Sequence, residues 1–467
     1  MGTGICGNQS LIIFQKNHSQ PLCALRLCAP LSSTSAQSNP QQNRQLPSSP
    51  LGVWDSQNSI PMKVKAFPAL VPAPGKAETI ASVPYDVVNT EEARALAGDN
   101  EHSFLHVVRA DIDFPDGTDP YGDEIYAKSK ENLDRFQSDG VLVREPEPCI
   151  YFYRQIMDGH SQTGITLATH IEDYENDIIR KHEKTRPVKE NDRTKLTDVL
   201  SANTGPVFLT YKDEDLIDAF VADWCRENEP TVHFTDDKNV QHTVWRVPSE
   251  DAFPVLDCFE NDVDLSYVAD GHHRSASAHR VGKERREANP NHTGEENYNW
   301  FLSVLFPASQ LKVLAYNRVV KTVPADFLEQ IKGLFEVESN GQQAPDSSGA
   351  LCLYLDGEWH SVKWGEVDSE SPIDRLDASV LQDRVLTPIL GIEDPRTDNN
   401  IDFVGGIRGT AELEKRVGSG EWAAAFSMAP VTVQQLIDIA DAGEIMPPKS
   451  TWFEPKLRSG LFVYTLD

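Results

Sequence analysis

The chain has 467 residues, of which 39% are hydrophobic and 8% aromatic, enough to build roughly two or three domains or one large α/β body around apolar cores. Its formal net charge is −29 and its pI is about 4.8. Such an acidic protein repels nucleic acid and anionic membranes unless a basic patch overrides the mean, and the sequence contains no long block of like charges. No apolar run reaches the length of a membrane span. We therefore expect neither nucleic acid nor a membrane as partner. The polar clusters described below lead us to expect a small-molecule substrate instead.

Seven cysteines are scattered along the chain without a C-x-x-C pair. An odd number at irregular spacing argues against a disulfide scaffold or a zinc knuckle. It is typical of reduced thiols, and we expect a cytoplasmic location.

Residues 1–61 differ from the rest of the chain, being rich in Ser, Gln, Asn and Pro, with Asp55 as the only acidic residue. One interpretation is a transit peptide, which the lack of acidic residues allows. The other is an upstream start read into non-coding sequence, with the true start at Met62, which opens directly onto a strand-like run. Both interpretations predict a disordered extension.

From Lys63 the pattern alternates strands and helices. Extended segments are predicted at residues 64–71, 80–88 and 103–109, and helices at 90–97 and 121–137. Residues 150–157 and 163–171 predict a hairpin across Asp158, Gly159 and His160.

The same alternation continues to the C-terminus. Further helices are predicted at residues 192–200, 213–228, 250–259, 377–386 and 433–442. Further strands are predicted at 207–211, 231–234, 243–247, 265–269, 299–306 and 312–319, with a second hairpin over 351–355 and 361–364. The fold class is therefore α/β, with mixed sheets. We expect an α/β catalytic body over residues 62–330 and a C-terminal α/β part over residues 331–467 that packs on it.

A tight polar turn follows the strand predicted at residues 265–269. It consists of Asp270, Gly271, His272, His273 and Arg274, and the helix predicted after it would begin near the histidines. Helix N-termini and arginine both attract phosphate, so the turn predicts an anion site. The alternative is a structural turn in which the arginine pairs with the aspartate.

A second polar cluster contains His182, Glu183, Thr185 and Arg186. If both clusters lie at strand ends on one edge of a sheet, they combine a carboxylate, histidines, arginines and backbone donors, which are the parts of a phosphoryl-transfer site. Glu183 is then the candidate base, with His182 beside it, and Asp270 is the candidate ligand of Mg²⁺ or an orienting group. Taken alone, Glu183 reads as a solvated loop carboxylate.

Lys449, Ser450 and Thr451 resemble the end of a phosphate-binding P-loop, but Met446, Pro447 and Pro448 stand where glycines are needed, so a Walker site is excluded. The three residues either touch an anion or form a capped turn.

His272 and His273 are adjacent, so in a helix they point about 100° apart and cannot both chelate one metal. A zinc hydrolase would need a distant ligand such as His182.

From Met62 onward the chain resembles a family of uncharacterised bacterial and archaeal proteins, domain-of-unknown-function family 1015. The stretches that carry the resemblance are 83–87 (VPYDV), 182–185 (HEKT), 267–274 (YVADGHHR), 402–406 (DFVGG) and 446–451 (MPPKST).

The Asp-Gly-His-His-Arg turn is also similar to that of the free serine kinases, which have a ParB/sulfiredoxin-like fold. This resemblance implies a ParB/sulfiredoxin-like core with additional α/β elements, and phosphorylation of the hydroxyl of free L-serine. It implies Glu183 as the base, Asp270 beside the hydroxyl or the metal, and residues 271–274 around phosphate. The donor would be ATP, ADP or pyrophosphate, with Mg²⁺.

Two other functions remain open from the sequence. One is a ParB-like regulatory protein that binds a nucleotide without turnover. The other is a metal-dependent phosphatase or hydrolase that uses His182, His272 or His273. The sequence makes no prediction of the oligomeric state.

Overall fold

The computed structural model describes residues 61–339 and 341–467. The expectations about the N-terminal extension, apart from Pro61, lie outside the described residues. They therefore stay predictions.

The described part of the chain alternates strands with helices almost from its start. The strands are β1 (Val64–Lys65), β2 (Leu70–Pro72), β3 (Leu142–Arg144), β4 (Cys149–Met157), β5 (His160–His170), β6 (Ile179–Arg180), β7 (Ala202–Asn203), β8 (Val207–Tyr211), β9 (Val232–Thr235), β10 (Gln241–Pro248), β11 (Ser266–Asp270), β12 (Trp300–Pro307), β13 (Lys312–Leu314), β14 (Tyr316–Val320), β15 (Glu336–Glu338), β16 (Ala350–Leu355), β17 (Glu358–Lys363), β18 (Ile401–Gly405), β19 (Ala424–Met428), β20 (Trp452–Glu454) and β21 (Tyr464–Thr465). The α-helices are α1 (Ala77–Ile80), α2 (Thr90–Ala97), α3 (Leu105–Val108), α4 (Asp123–Ser138), α5 (Ile171–Glu175), α6 (Pro187–Leu200), α7 (Asp215–Glu227), α8 (Ser249–Asn261), α9 (His272–Ala288), α10 (Phe327–Leu334), α11 (Asp377–Leu381), α12 (Gly409–Gly418) and α13 (Val433–Asp441).

The larger sheet has nine strands in the order β6-β11-β8-β12-β5-β4-β10-β9, with β1 paired to β5. Two pairs are parallel, β6 with β11 and β8 with β12, and the others are antiparallel. A mixed sheet of this kind confirms the predicted α/β fold class.

Both faces of this sheet are buried, because side chains alternate across a strand. In β4, Ile150 and Phe152 belong to a core that includes helices α7 and α8, while Tyr151 and Tyr153 belong to a core that includes α13 and residues 457–466. The C-terminal end of the chain therefore packs against the central sheet, close to strands that precede it by about three hundred residues.

A second, six-stranded sheet has the order β15-β17-β16-β19-β14-β18 and is antiparallel throughout. Its faces are also covered, with Leu351 and Leu353 in one core and Cys352 in another. The division of the chain into residues 62–330 and 331–467 stays a prediction. No helix in the described ranges is long and apolar enough to cross a membrane.

The predicted hairpin of β4 and β5 is confirmed. Met157 pairs with His160, so the loop has two residues rather than three, and both have positive φ, 52° at Asp158 and 78° at Gly159. Asp-Gly suits such a two-residue turn because glycine and aspartate tolerate left-handed conformations. This turn sets the register of the two longest strands of the sheet.

Three predicted strands near the start are wrong in detail. Residues 64–71 split into β1 and β2 around Pro68, which lacks the N–H that a continuous ladder requires. Residues 103–109 contain the helix α3 (Leu105–Val108), and residues 80–88 form no strand beyond an isolated bridge between Ser82 and Ser459. Short buried apolar runs have no periodicity that separates a strand from a helix, so packing decided them.

Candidate active site

Two parallel strands bring the predicted polar clusters together. β6 and β11 run side by side, with Arg180 level with Tyr267. Because parallel strands end at the same edge of a sheet, the loop with His182 and Glu183 leaves beside the turn that begins at Asp270. The two polar clusters therefore lie at strand ends on one edge of the sheet, as the site predicted from the sequence requires.

The rings of His182 and His272 meet edge to face, with centroids 4.5 Å apart and an angle of 86° between the ring planes. Both side chains are buried, with exposed fractions of 1% and 6%. Burial lowers the pKa of His182 to about 3, with the nearby His272 acting in the same direction. Burial also lowers the pKa of His272 to about 4. Both rings are therefore neutral at pH 7.

Each of these rings carries a buried nitrogen that has no hydrogen-bond partner among the described residues, Nδ1 of His182 and Nε2 of His272. The other nitrogen of His182, Nε2, lies 3.3 Å from the hydroxyl oxygen of Thr451. Glu183 is partly exposed, and one of its carboxylate oxygens lies within 4.8 Å of a nitrogen of each ring. The three side chains form a compact nitrogen and oxygen donor set.

The turn at Gly271 is left-handed, with φ of 96°, and its N–H donates to Oδ1 of Asp270 over 2.9 Å. The Arg274 side chain folds back over this turn, so that a Cβ at position 271 would lie 3.1 Å from the guanidinium carbon. Arg274 donates to the carbonyl of Pro206, and its Nη2 lies 3.9 Å from Asp270. The structural turn considered as an alternative is thus partly present, although Nε of Arg274 is buried without a partner in the described ranges.

Asp270 also has a partner that sequence reasoning missed. Nζ of Lys456 lies 3.1 Å from Oδ2 of Asp270. Burial would raise the pKa of Asp270, but Lys456 and Arg274 outweigh it and hold the pKa below its usual range. Its carboxylate is therefore ionised and already paired. Its predicted role as a metal ligand stays a prediction, and the donor set formed by the two histidines and Glu183 does not include it.

The N-terminus of α6 lies next to that of α9. The backbone N–H of Arg186, which caps α6, donates to Nε2 of His273 over 3.0 Å. The side chain of Arg186 is exposed, whereas the hydroxyl of Thr185 donates to Glu190 over 2.5 Å. Burial lowers the pKa of His273. Two helix N-termini therefore point positive dipole ends toward the same region.

The loop of residues 446–451 joins the site through its backbone, because Met446 N–H donates to the carbonyl of His182 over 2.8 Å. Ser450 donates to the carbonyl of Pro447 over 2.8 Å, so this hydroxyl stabilises the turn.

Lys449, in the same loop, contributes its charge to the site. Burial would lower its pKa, but Tyr316 and the carboxylates of Glu183, Asp86 and Asp270 raise it. Lys449 is therefore a cation of the site.

Asp86 is a second residue that the site analysis of the sequence missed. It is exposed, and its charge acts on both His273 and Lys449. Its stretch, residues 83–87, was noted only for its family resemblance. An isolated acidic residue after a tyrosine carries no chemical pattern that would assign it to a site.

The fold and the site define a mixed α/β protein with histidines, carboxylates and cations gathered where two parallel strands end. The chain belongs to the family described as "Protein of unknown function (DUF1015)", whose model matches residues 64–379. A comparison with curated proteins gives no match.

Several solved structures are similar to part of the chain. A free serine kinase in complex with AMP is 13% identical, covers 62% of this chain and 86% of its own, and has a TM-score of 0.34. SbnI with a C-terminal truncation, from Staphylococcus aureus, is 9% identical and covers 62% and 82%, with a TM-score of 0.35. A conserved hypothetical protein from Pyrococcus furiosus is 14% identical and covers 63% and 93%, with a TM-score of 0.32. These low scores carry no argument about function, and a ParB/sulfiredoxin-like core stays a prediction.

Proposed function

We propose that this protein is a small-molecule kinase that transfers a phosphoryl group to the hydroxyl of a free amino acid, with L-serine as the first candidate. The donor is ATP, ADP or pyrophosphate. The observation that carries the proposal is the parallel pairing of β6 and β11, which sets Glu183 beside the N-terminus of α9. A carboxylate then lies close to a helix N-terminus, and helix N-termini attract anions.

Glu183 is the proposed base. Glu183 is partly exposed, so an acceptor hydroxyl can reach it. The neighbouring His182 and His272 are neutral and therefore do not neutralise its negative charge. The carboxylate accepts the hydroxyl proton as the hydroxyl oxygen attacks phosphorus. The bond between phosphorus and the leaving phosphate oxygen breaks in the same displacement.

The cationic groups of the site are the proposed phosphate holders. The first backbone N–H groups of α9 are unpaired by the geometry of a helix start, and they attract anions. Lys449 keeps its positive charge beside them, and the buried Nε of Arg274 is a donor without a partner in the described part of the chain. These groups would hold the phosphates of the donor.

Mg²⁺ would enter with the donor and neutralise charge on its phosphates. Asp270 was the predicted ligand, but its Oδ1 accepts the N–H of Gly271 and its Oδ2 accepts from Lys456. Asp270 therefore offers Mg²⁺ a shared oxygen at most, and most of the ligands of the ion would be phosphate oxygens and water.

The test uses the purified full chain with L-serine, Mg²⁺ and each of ATP, ADP and pyrophosphate, followed by mass spectrometry for phosphoserine. Reactions without acceptor, and with L-threonine or L-homoserine in place of L-serine, show whether the hydroxy amino acid is selected. We expect phosphoserine with one donor. A folded protein that makes no phosphorylated amino acid with any donor would remove the proposal.

A further inference from the structure

We propose that His182, Glu183 and His272 bind one first-row transition-metal ion, of the Zn²⁺ or Fe²⁺ class, as a site with two histidines and one carboxylate. The inference goes beyond the proposed kinase activity, because it depends on ligand geometry and not on phosphoryl transfer. It also differs from the Mg²⁺ that would accompany a nucleotide.

The donor atoms already converge. One nitrogen from each histidine and one oxygen of Glu183 all lie within 4.8 Å of one another. Bonds to zinc of about 2.0–2.1 Å place tetrahedral ligand atoms roughly 3.3 Å apart. The donor atoms therefore have to approach one another by up to about 1.5 Å to bind one ion.

The unpartnered nitrogens are the second observation. Nδ1 of His182 and Nε2 of His272 are buried and have no hydrogen-bond partner within the described residues. Leaving a buried polar atom without a hydrogen-bond partner is destabilising, so such atoms usually have one. A metal ion bound by these lone pairs supplies one to both rings at once.

The surroundings hold the donors in place. His182 Nε2 lies 3.3 Å from the hydroxyl of Thr451, and metal-bound histidines commonly donate their second ring N–H in this way. The backbone carbonyl of His182 accepts from Met446, and His272 is the first residue of the seventeen-residue helix α9. Two of the three ligands are thus attached to well-anchored backbone.

The donor types select the class of metal. Imidazole nitrogen suits Zn²⁺, Fe²⁺ and Co²⁺, whereas Mg²⁺ prefers oxygen ligands in an octahedral arrangement. Three protein ligands also leave a coordination position open, and Glu183 is partly exposed to solvent. A carboxylate that binds a cation is a weaker base, so the metal and the proposed proton transfer would compete for Glu183.

Metal binding by the full-length protein tests the inference. The chain is freed of metal with a chelator and titrated with Zn²⁺, Co²⁺ and Mg²⁺ by calorimetry, with the visible absorption of Co²⁺ as a report on its ligands. We expect one equivalent of Zn²⁺ or Co²⁺ to bind at least about 100-fold more tightly than Mg²⁺, since nitrogen donors discriminate in that direction. Circular dichroism establishes that each sample is folded.

Three variants locate the ion. Glu183→Gln and His272→Gln should each weaken Zn²⁺ binding by more than about 100-fold, since losing a ligand costs more than the roughly 10- to 100-fold effect of losing a residue that hydrogen-bonds to a ligand. His279→Gln is the matched control, because His279 lies on the same helix and outside the donor set, and it should bind Zn²⁺ like the wild-type chain.

Two results would overturn the inference. One is a folded wild-type chain that binds Zn²⁺ and Co²⁺ no more tightly than Mg²⁺. The other is Zn²⁺ affinity that is equal in the Glu183, His272 and His279 variants, which would put the ion elsewhere. Neither result bears on phosphoserine formation, so failure of this inference and failure of the proposed kinase activity are distinguishable.

Discussion

Lys456 donates to Oδ2 of Asp270 over 3.1 Å, although 186 residues separate the two in the chain. The pair places a cation from the C-terminal segment at the carboxyl end of β11, directly before the turn of the candidate site. Both side chains are mostly buried, with exposed fractions of 17% and 28%. The C-terminal segment therefore contributes to the electrostatics of the site as well as to the core.

Replacing Lys456 with methionine leaves Asp270 with the more distant Arg274 as its cation. We expect Lys456→Met to lower the free energy of unfolding by about 2–4 kcal/mol at pH 7, because a buried carboxylate loses its closest compensation. The pKa of Asp270 is depressed in the folded state, so the stability that this pair contributes is present above the ordinary aspartate pKa of about 3.9 and is lost as the pH falls below it. The loss continues from that pH down to the lower pKa of the folded state, so urea denaturation at pH 7 and at about pH 2.5 measures both effects.

The control for this prediction is Lys212→Met, which removes an exposed pair with Asp441 at 3.5 Å. It should change the free energy of unfolding by less than about 0.5 kcal/mol. An equal loss for Lys456→Met at both pH values would mean that the lysine contributes by packing and not by charge.

Glu183→Gln tests the proposed base. The substitution keeps the shape of a partly exposed side chain but removes the proton acceptor, so we expect turnover to fall by about 10²–10⁴-fold with little change in stability. Glu175→Gln is an isosteric control on α5, where Glu175 contacts His279 and Lys283, and it should retain the activity. Initial rates and thermal denaturation are measured side by side. Equal activity of the two variants would contradict the role of Glu183.

Arg274→Ala tests the phosphate holder. Removing the guanidinium takes away a cation and the unpartnered Nε donor, so we expect the affinity for the donor to fall by about tenfold or more. Arg280→Ala is the control, since Arg280 lies on the same helix and pairs with Glu284 on the surface. Calorimetric titration with ADP and pyrophosphate gives both affinities. Donor affinity that is unchanged in Arg274→Ala would leave this arginine with its structural contact to Pro206 alone.

Gly271→Ala tests the turn that starts α9. An alanine at φ of 96° is strained, and its Cβ would lie 3.1 Å from the guanidinium of Arg274, which is held by the carbonyl of Pro206. Gly357→Ala is the matched control, because Gly357 has φ of 85° and nothing lies within 4 Å of a Cβ there. Backbone strain should lower the free energy of unfolding of both variants by about 1 kcal/mol or more. Gly271→Ala should lower it by roughly 1 kcal/mol beyond the loss in Gly357→Ala. If urea denaturation gives the same loss of unfolding free energy for both variants, the Arg274 side chain moves to accommodate the added Cβ without cost.

Asp377→Asn tests a buried carboxyl group away from the site. Burial raises the pKa of Asp377 to about 6, against the hydrogen bond that it accepts from the N–H of Gly349 over 2.9 Å. Because the folded pKa is raised, the contribution of Asp377 to stability is greatest below pH 4 and is lost as the pH rises toward 6. Asparagine keeps an acceptor for Gly349 without the charge.

We therefore expect Asp377→Asn to be more stable than the wild-type chain by up to about 2–3 kcal/mol at pH 7.5, a figure that corresponds to roughly two pKa units. The gain should shrink toward zero at pH 4. Asp374→Asn, at an exposed neighbouring position, should show no such pH dependence. Urea denaturation at the two pH values measures the difference in unfolding free energy between Asp377→Asn and the wild-type chain. A gain in stability of the same size at both pH values would contradict a raised pKa of Asp377.

Local patterns of the sequence determined the elements whose cause is itself local. Asp158 and Gly159 indicated the β4–β5 hairpin, because few residues other than these tolerate its two positive φ angles. The apolar run before Asp270 and the glycine after it indicated a strand, a turn and a helix, which are β11 and α9. The candidate residues of the turn and of the 182–186 loop were identified from their chemistry alone, and their roles stay predictions.

Tertiary structure decided everything that depends on contacts between distant segments. Residues 103–109 became helical because a short buried run follows its packing partners, which the sequence does not name. The segment formed by α13 and the residues after it packs on the face of the central sheet that carries Tyr151 and Tyr153. This packing brings Lys456 to Asp270 and Thr451 to His182. Turn chemistry and periodicity depend on a few neighbouring residues, whereas burial and charge pairing depend on contacts between residues that are far apart in the sequence. The residues of the two polar clusters could therefore be identified from the sequence. The contributions of Lys456 and Asp86, and the meeting of the two clusters at the ends of β6 and β11, required the folded chain.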